Sequence, residues 1–336
     1  MLLTWGLRRY ALAHSLIDIP NERSSHDIPT PRGGGVSIVL TFLLGLIVLE
    51  LAGFLPAFLF WALFGSGVLA ALVGWGDDRY DLSARLRLPG HFIGAIWALV
   101  WLGGLPELPV FGVMVNLGVA GHILAAIYLV WLLNLYNFMD GINGIAGIEA
   151  ITVCAGGIVL FVISGTQTDG MWMLPALLAA ASAGFLVWNF PKARIFMGDG
   201  GSGFLGLVLG VLSIRAGWIS PELFWGWVIL LGAFIVDATA TLLRRALRGE
   251  KVYEAHCSHA YQHVAQMYRS HTPVTLAYGA INLFWLLPMA AFVVVGLLDG
   301  ALGVIIAYIP LAVVALWLQA GKPADPGTIK GEQNGW

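Results

Sequence analysis

Apolar runs alternate with short polar gaps along almost the whole chain, and the runs are long enough to cross a bilayer. They cover residues 36–55, 58–75, 91–105, 118–136, 144–164, 171–188, 203–219, 223–243, 274–297 and 300–319. A spanning helix takes about 20 apolar residues, fewer where flanking side chains snorkel or the bilayer thins. The pattern therefore predicts an all-α, polytopic transmembrane bundle of about 10 spans, with the intervening loops left for chemistry. Residues 1–320 read as one integral membrane domain, and 321–336, rich in Gly, Pro and polar residues, as a short disordered tail. The N-terminal stretch MLLTWGLRRYALAHSL is too short ahead of Arg8-Arg9 to span, and its charge follows its apolar part, the reverse of a secretory signal. It fits either a surface-lying helix or the remnant of a first span.

Composition agrees with this reading. With 59% hydrophobic and 11% charged residues, and a mean hydropathy of +0.83, the chain is not a soluble domain, in which about a quarter of residues are charged. The net charge of −2 says less than where the charges sit. Of the 17 Lys and Arg residues, only Arg215 lies outside the stretch up to Gly35, the gaps at 76–90, 189–202 and 244–273, and the tail. The alternate gaps carry Glu107, Asp169, Glu222 and Asp299 instead. By the positive-inside rule, the basic gaps face the cytoplasm. The two cysteines, Cys154 and Cys257, are too few and too separated for a disulfide framework.

Candidate chemistry is confined to those basic gaps and to 137–143, which lies on the same side. GWGDDRYDLSARLRLPGH sets the adjacent acids Asp77 and Asp78 at a helix mouth, followed by Asp81 and three arginines. Neighbouring carboxylates repel unless a cation compensates, which suits Mg²⁺ or a proton acceptor near phosphate. In NLYNFMDGINGIAG, Asn137, Asp140 and Asn143 recur every three residues, the spacing of one helix face. NFPKARIFMGDGGSGFLG surrounds Asp199 and Ser202 with glycines just before an apolar helix. Backbone N–H groups there could face an anion while Asp199 holds a metal, although the Gly-Lys-Ser/Thr of a P-loop is lacking. The gap from Val236 to His263 combines Asp237, a basic cluster that includes Arg245, and His256, His259 and His263. Arginines and histidines together suit a diphosphate, and the i, i+4 spacing of His259 and His263 would also allow zinc.

NERSSHDIPTPRGGG, GWGDDRYD, NLYNFMDGINGIAG, FMGDGGSGFLG and DATATLLRRALRGEKVYEAHCSHAYQH, in this order, resemble the bacterial polyprenyl-phosphate N-acetylhexosamine-1-phosphate transferases. The His loop looks most like the branch that initiates O-antigen. The resemblance implies transfer of a sugar-1-phosphate, from a UDP-N-acetylhexosamine or its 6-deoxy relative, to undecaprenyl phosphate, with release of UMP. It implies Mg²⁺, or Mn²⁺ in its place, on Asp199; the lipid phosphate at Asp77 and Asp78; and the nucleotide sugar along Asn137, Asp140 and Asn143. His256, His259 and Arg245 then fall to the sugar diphosphate. Partners so implied are the two substrates and the bacterial inner membrane, with the site cytoplasmic, no nucleic acid, and a homodimer allowed.

The sequence departs from the family pattern at three places. The family begins with a complete span before the Arg8-Arg9 region, so a shortened start is expected; Asn143 stands where a second Asp is usual; and Ser24-Ser25-His26 replace a Lys or Arg. From the residues alone, a transporter with an intramembrane Asp/His relay, or GlcNAc-1-phosphate transfer for another cell-wall polymer, is the alternative.

Overall fold

Each apolar segment is occupied by a helix or a pair of helices. The computed structural model describes residues 1–20, 28–166, 170–251 and 257–322. In chain order the helices are α1 (Leu2–Ala13), α2 (Val36–Leu51), α3 (Ala57–Tyr80), α4 (Ala84–Leu102), α5 (Gly118–Met139), α6 (Ile145–Ile163), α7 (Met173–Asn189), α8 (Asp199–Ile219), α9 (Pro221–Leu230), α10 (Gly232–Leu247), α11 (Ala260–Tyr268), α12 (Thr272–Ile281), α13 (Leu287–Val294) and α14 (Gly300–Trp317). A π turn, Asn282–Leu286, joins α12 to α13. Two short antiparallel pairs complete the described residues: β1 (Ile17–Asp18) with β2 (Thr30–Pro31), and β3 (Leu108–Val110) with β4 (Val113–Val115).

Six helical stretches, counting 272–294 as one, are long and apolar enough to cross a membrane, and a seventh forms if α9 and α10 are taken as one span bent by 64°. Helices α2 and α7 are apolar but shorter, and α4 opens with a polar turn that holds Arg85 and Arg87. The chain is a multi-pass membrane protein. The count by length falls below the expected ten because three apolar segments form helices that are short or polar at one end. Helix α1 packs on α2 and α7, tied by the Thr4 hydroxyl to Ser37 Oγ at 2.9 Å. Ser24-Ser25-His26 and the tail from Pro323 onward lie outside the described residues.

Helix α8 is the axis of the bundle. Nearly all its residues are buried, against α3 on one side and α5 on the other. Glycine allows this approach: a Cβ on Gly206 would stand 2.3 Å from the Leu132 carbonyl of α5, and one on Gly74 of α3 would stand 2.5 Å from the Asp199 carbonyl. The backbone after β2 joins the same place, since Gly34 and Gly35 donate N–H bonds to Phe196 and Met197 carbonyls at 2.8 Å. The ends of α3 and α5 and the starts of α4 and α8 therefore meet at one face of the bundle.

Candidate active site

The Asp77-Asp78 pair belongs to the last turn of α3 rather than to a loop, because the helix runs on to Tyr80 and closes with Asp81 in the left-handed conformation. Consecutive helical positions point about 100° apart, so the two acids have different surroundings. Asp77 is buried and pairs with the Arg87 guanidinium. The same guanidinium stands 3.6 Å from Asp199 Oδ2. Asp78 instead accepts the backbone N–H groups of Asp199, at 3.1 Å, and Gly200, at 3.2 Å, while its own carbonyl accepts from Arg32.

These bonds change the expected reading of the glycine-rich segment. It is not an open loop: α8 begins at Asp199, and only Gly198, at φ +77°, is outside it. The N–H groups at the helix start do face an anion, and that anion is the Asp78 carboxylate. Position 198 has no room for a side chain, since a Cβ there would lie 2.6 Å from Asp78 Oδ2.

Around this clamp lies a cavity of about 290 Å³ lined by Arg32, Asp77, Asp78, Asp81, Arg87 and Asp199. Asn137, in the last turn of α5, reaches the Asp199 carboxylate, and its Oδ1 lies 3.5 Å from the Ser202 hydroxyl. Asp140 caps α5, with its N–H on the Asn137 carbonyl at 3.3 Å. Burial, and then the charges of Asp199 and Asp78, hold its carboxyl well above the usual carboxylate range. Asp77, Asp78, Asp140 and Asp199 thus share one electrostatic neighbourhood, in which each negative charge disfavours the next.

The donors here are carboxylate oxygens, the hard ligands that Mg²⁺ takes, and Arg87 already places a positive charge between two of them. No group of three or more His, Cys, Asp or Glu arranged as a complete metal cage occurs among the described residues. The donor set therefore fits an ion that shares its coordination with substrate phosphate and water, as Mg²⁺ commonly does, with Asp199 and Asp77 as the side chains to hold it.

Asn143 does not share a face with Asn137 and Asp140. The helix has ended at Met139, Gly144 at φ +79° turns the chain into α6, and the Asn143 side chain donates to the Pro191 carbonyl at 3.2 Å. It lines a second cavity of about 770 Å³ with Lys192, Arg269 and His271. The His loop also differs from expectation. His259 is buried and forms the N-cap of α11, its Nδ1 3.5 Å from Asp237 Oδ1, whereas His263 turns to the Leu318 carbonyl at 3.1 Å. The two rings do not converge as a zinc pair would. Arg245 is buried and binds Glu250 Oε2 at 2.8 Å, with Glu250 held below its usual range by Arg245 and Arg248. His256 lies outside the described residues.

Arg32 and Arg87 are the side chains that sequence reasoning left unassigned. Arg32 had a signal, since Gly33, Gly34 and Gly35 beside it permit the close approach to α8. Asp237 had one too, as a lone acid in an apolar run. Its carboxylate accepts N–H bonds from Ala260 at 2.9 Å and Tyr261 at 3.1 Å, and the Tyr278 hydroxyl at 2.6 Å, so it anchors the start of α11.

Sequence comparison agrees with this geometry. A profile described as Glycosyl transferase family 4 matches residues 60–217, which span from α3 to α8. The decaprenyl-phosphate N-acetylglucosaminephosphotransferase of Mycolicibacterium smegmatis is 28% identical over 92% of this chain and 85% of its own. The protein of the same name from Mycobacterium tuberculosis is 31% identical over 81% and 74%. A probable undecaprenyl-phosphate N-acetylglucosaminyl 1-phosphate transferase of Bacillus subtilis is 29% identical over 81% and 75%. With its acids, arginines and glycines gathered at one end of α3, α5 and α8, the chain belongs to glycosyl transferase family 4, and its relatives include proteins named polyprenyl-phosphate N-acetylglucosaminephosphotransferases.

Proposed function

We propose that this protein transfers an N-acetylhexosamine-1-phosphate, or that of a 6-deoxy relative, from a UDP-sugar to undecaprenyl phosphate at the cytoplasmic face of the bacterial inner membrane. The product would start a lipid-linked surface glycan such as O-antigen. The observation that carries the reading is the meeting of Asp77, Asp78, Asp199, Arg32 and Arg87 around one cavity at the helix ends. Phosphoryl transfer needs little more from a protein than positioning and charge.

An oxygen of the lipid phosphate attacks the sugar-linked phosphorus. The new P–O bond forms as the bond to the bridging oxygen breaks, and that oxygen leaves with UMP. Asp199 and Asp77 would hold Mg²⁺, which when bound would supply positive charge against that of the diphosphate. Arg87 is freed from the carboxylates to bind phosphate oxygens, and Arg32 supplies a second guanidinium. Asn137 orients Asp199. Asp78 fixes the α8 start against α3 and so sets the distance between the acids. A phosphate monoester is already largely ionised at neutral pH, so the carboxylates need not remove a proton from it. Asn143, with Lys192, Arg269 and His271, offers a separate polar surface for the donor, and the loop through His256 and His259 is assigned to its sugar diphosphate.

Membranes carrying the protein, given undecaprenyl phosphate, Mg²⁺ and a panel of UDP-N-acetylhexosamines, should release UMP with at least one donor. UDP-MurNAc-pentapeptide should be refused. Release of no UMP with any donor would overturn the reading and favour a transporter. Exchange of residues 252–263 for the loop of a GlcNAc-specific relative should move donor preference without changing lipid preference.

A further inference from the structure

Glu149 is a carboxylate that the reaction does not use. It lies one turn into α6 with no solvent exposure, and an ionisable group so placed among membrane helices is costly and calls for a reason. Its surroundings come from two other helical segments, the π turn and α10. Asn282 Nδ2 donates to its Oε2 at 2.7 Å and also reaches Thr152 Oγ1, on α6, at 2.8 Å. The backbone N–H of Phe234 faces the same carboxyl group without closing a hydrogen bond on it, so Oε1 is left without a hydrogen-bond partner.

Phe234 is the third residue of α10, just past the 64° bend from α9. The first N–H groups of a helix have no partner inside it, and a bend within a bilayer has no bulk water to supply one. The Glu149 carboxyl stands beside these groups, at the positive end of the helix. Asn282 is the first residue of the π turn, a widened turn of the kind that recurs at functional positions.

One helical turn further on, the same two helices are tied again. Asp237 follows Phe234 by three residues, Tyr278 precedes Asn282 by four, and the Tyr278 hydroxyl binds the Asp237 carboxylate. Asp237 in turn holds the N–H groups that open α11. The Tyr261 hydroxyl then donates to the Phe138 carbonyl at 2.9 Å, beside Asn137 and Asp140. Two buried polar ties one helical turn apart, Glu149 to Asn282 and Asp237 to Tyr278, thus lie between α6 and the edge of the acid cavity.

We propose that Glu149 is a positioning residue for donor binding: it fixes the bend between α9 and α10, and through Asp237 it docks the Cys257–His259 segment against the end of α5. The assignment to the donor rests on the function proposed above. The docking itself does not.

Cys257 is half-buried and is one of only two cysteines, the other being the buried Cys154. In a Cys154→Ala background, alkylation of Cys257 by a hydrophilic maleimide therefore reports how firmly the segment is docked, whether or not the enzyme turns over. Glu149→Ala should speed alkylation about tenfold, the effect of a buried hydrogen-bonding partner lost. It should raise the KM for the UDP-sugar by about the same factor, with kcat and the KM for undecaprenyl phosphate little changed. Glu149→Gln keeps an acceptor for the Asn282 amide and should stay close to the parent in both measurements. Asn282→Ala, which leaves the Glu149 carboxyl beside Phe234, should fall between them, and it carries the same test if Glu149→Ala does not accumulate. Equal alkylation in parent and variants, or Glu149→Gln as fast as Glu149→Ala, would overturn the proposal. A parent that alkylates as expected but releases no UMP would instead overturn the proposed function.

Discussion

Asp78→Asn and Asp77→Asn should separate two neighbouring acids by what they lose. Asp78 accepts the N–H groups of Asp199 and Gly200 with separate oxygens, and a hydrogen bond to a charged group contributes about 1.5–3 kcal/mol. Asparagine keeps one acceptor oxygen and turns an NH₂ toward the other N–H, so one bond is lost and two donors face each other. We expect Asp78→Asn to cost about 2–3 kcal/mol of stability and to lose most activity, because the α8 start carries Asp199. Asp77 pairs with Arg87 with side chains 8% and 28% exposed, but asparagine keeps an oxygen for the guanidinium and removes the repulsion between Asp77 and Asp199, so the substitution should cost about 1 kcal/mol. Asp77→Asn should therefore melt close to the parent while losing at least as much activity. The assay is thermal unfolding of the detergent-solubilised proteins beside UMP release from the same preparations. Asp78→Asn melting with the parent, or Asp77→Asn melting as low as Asp78→Asn, would refute the division of labour.

Asp199→Ala should lower turnover about 100-fold or more while the protein remains folded, and excess EDTA should silence the parent; full activity in EDTA would remove the metal role. Asp140 has a raised carboxyl pKa, so the stability associated with its protonated form is present below the unfolded value of about 3.9 and is lost as pH rises through the folded value. Asp140→Asn should therefore melt higher than the parent at neutral pH without metal, and the gap should close in acid; a gap independent of pH would refute this. Reporter fusions after Arg87, Arg194 and Lys251 should read cytoplasmic, and those after Glu107 and Asp299 external; an external reading after Arg194 would remove the cytosolic donor from reach of Asp199.

Much of the bundle is legible in the sequence because hydrophobic length speaks for itself in a membrane. What hydropathy misplaced were the helix ends: α3 continues five residues past its apolar run to Tyr80, and α8 starts at Asp199 within a glycine cluster that reads as a turn. Both extensions are stabilised by tertiary contacts, Asp78 on the α8 amides being one, which no local pattern records. The bend between α9 and α10 has no proline to announce it, whereas Pro310 lies inside an unbroken α14. Helix α11 was hidden in a polar gap, because its start depends on Asp237, more than twenty residues earlier. The acids that line the candidate cavity stand out in the sequence by their spacing, but which of them meet does not. Asn143 turned to another cavity because a glycine, Gly144, ends the helical path.

The guanidinium of Arg87 lying between Asp77 and Asp199 also bears on how the protein is made. A cluster of acids at the end of packed helices would repel itself during insertion if its neutralising charge had to come from solution. Because the chain carries its own counterion ten residues downstream, on the adjoining helix, the helices can close with the charge of the cluster already balanced from within. Assembly in the membrane and occupation of the cavity by a ligand then become separate events, and newly inserted protein can be fully packed while its cavity is still empty.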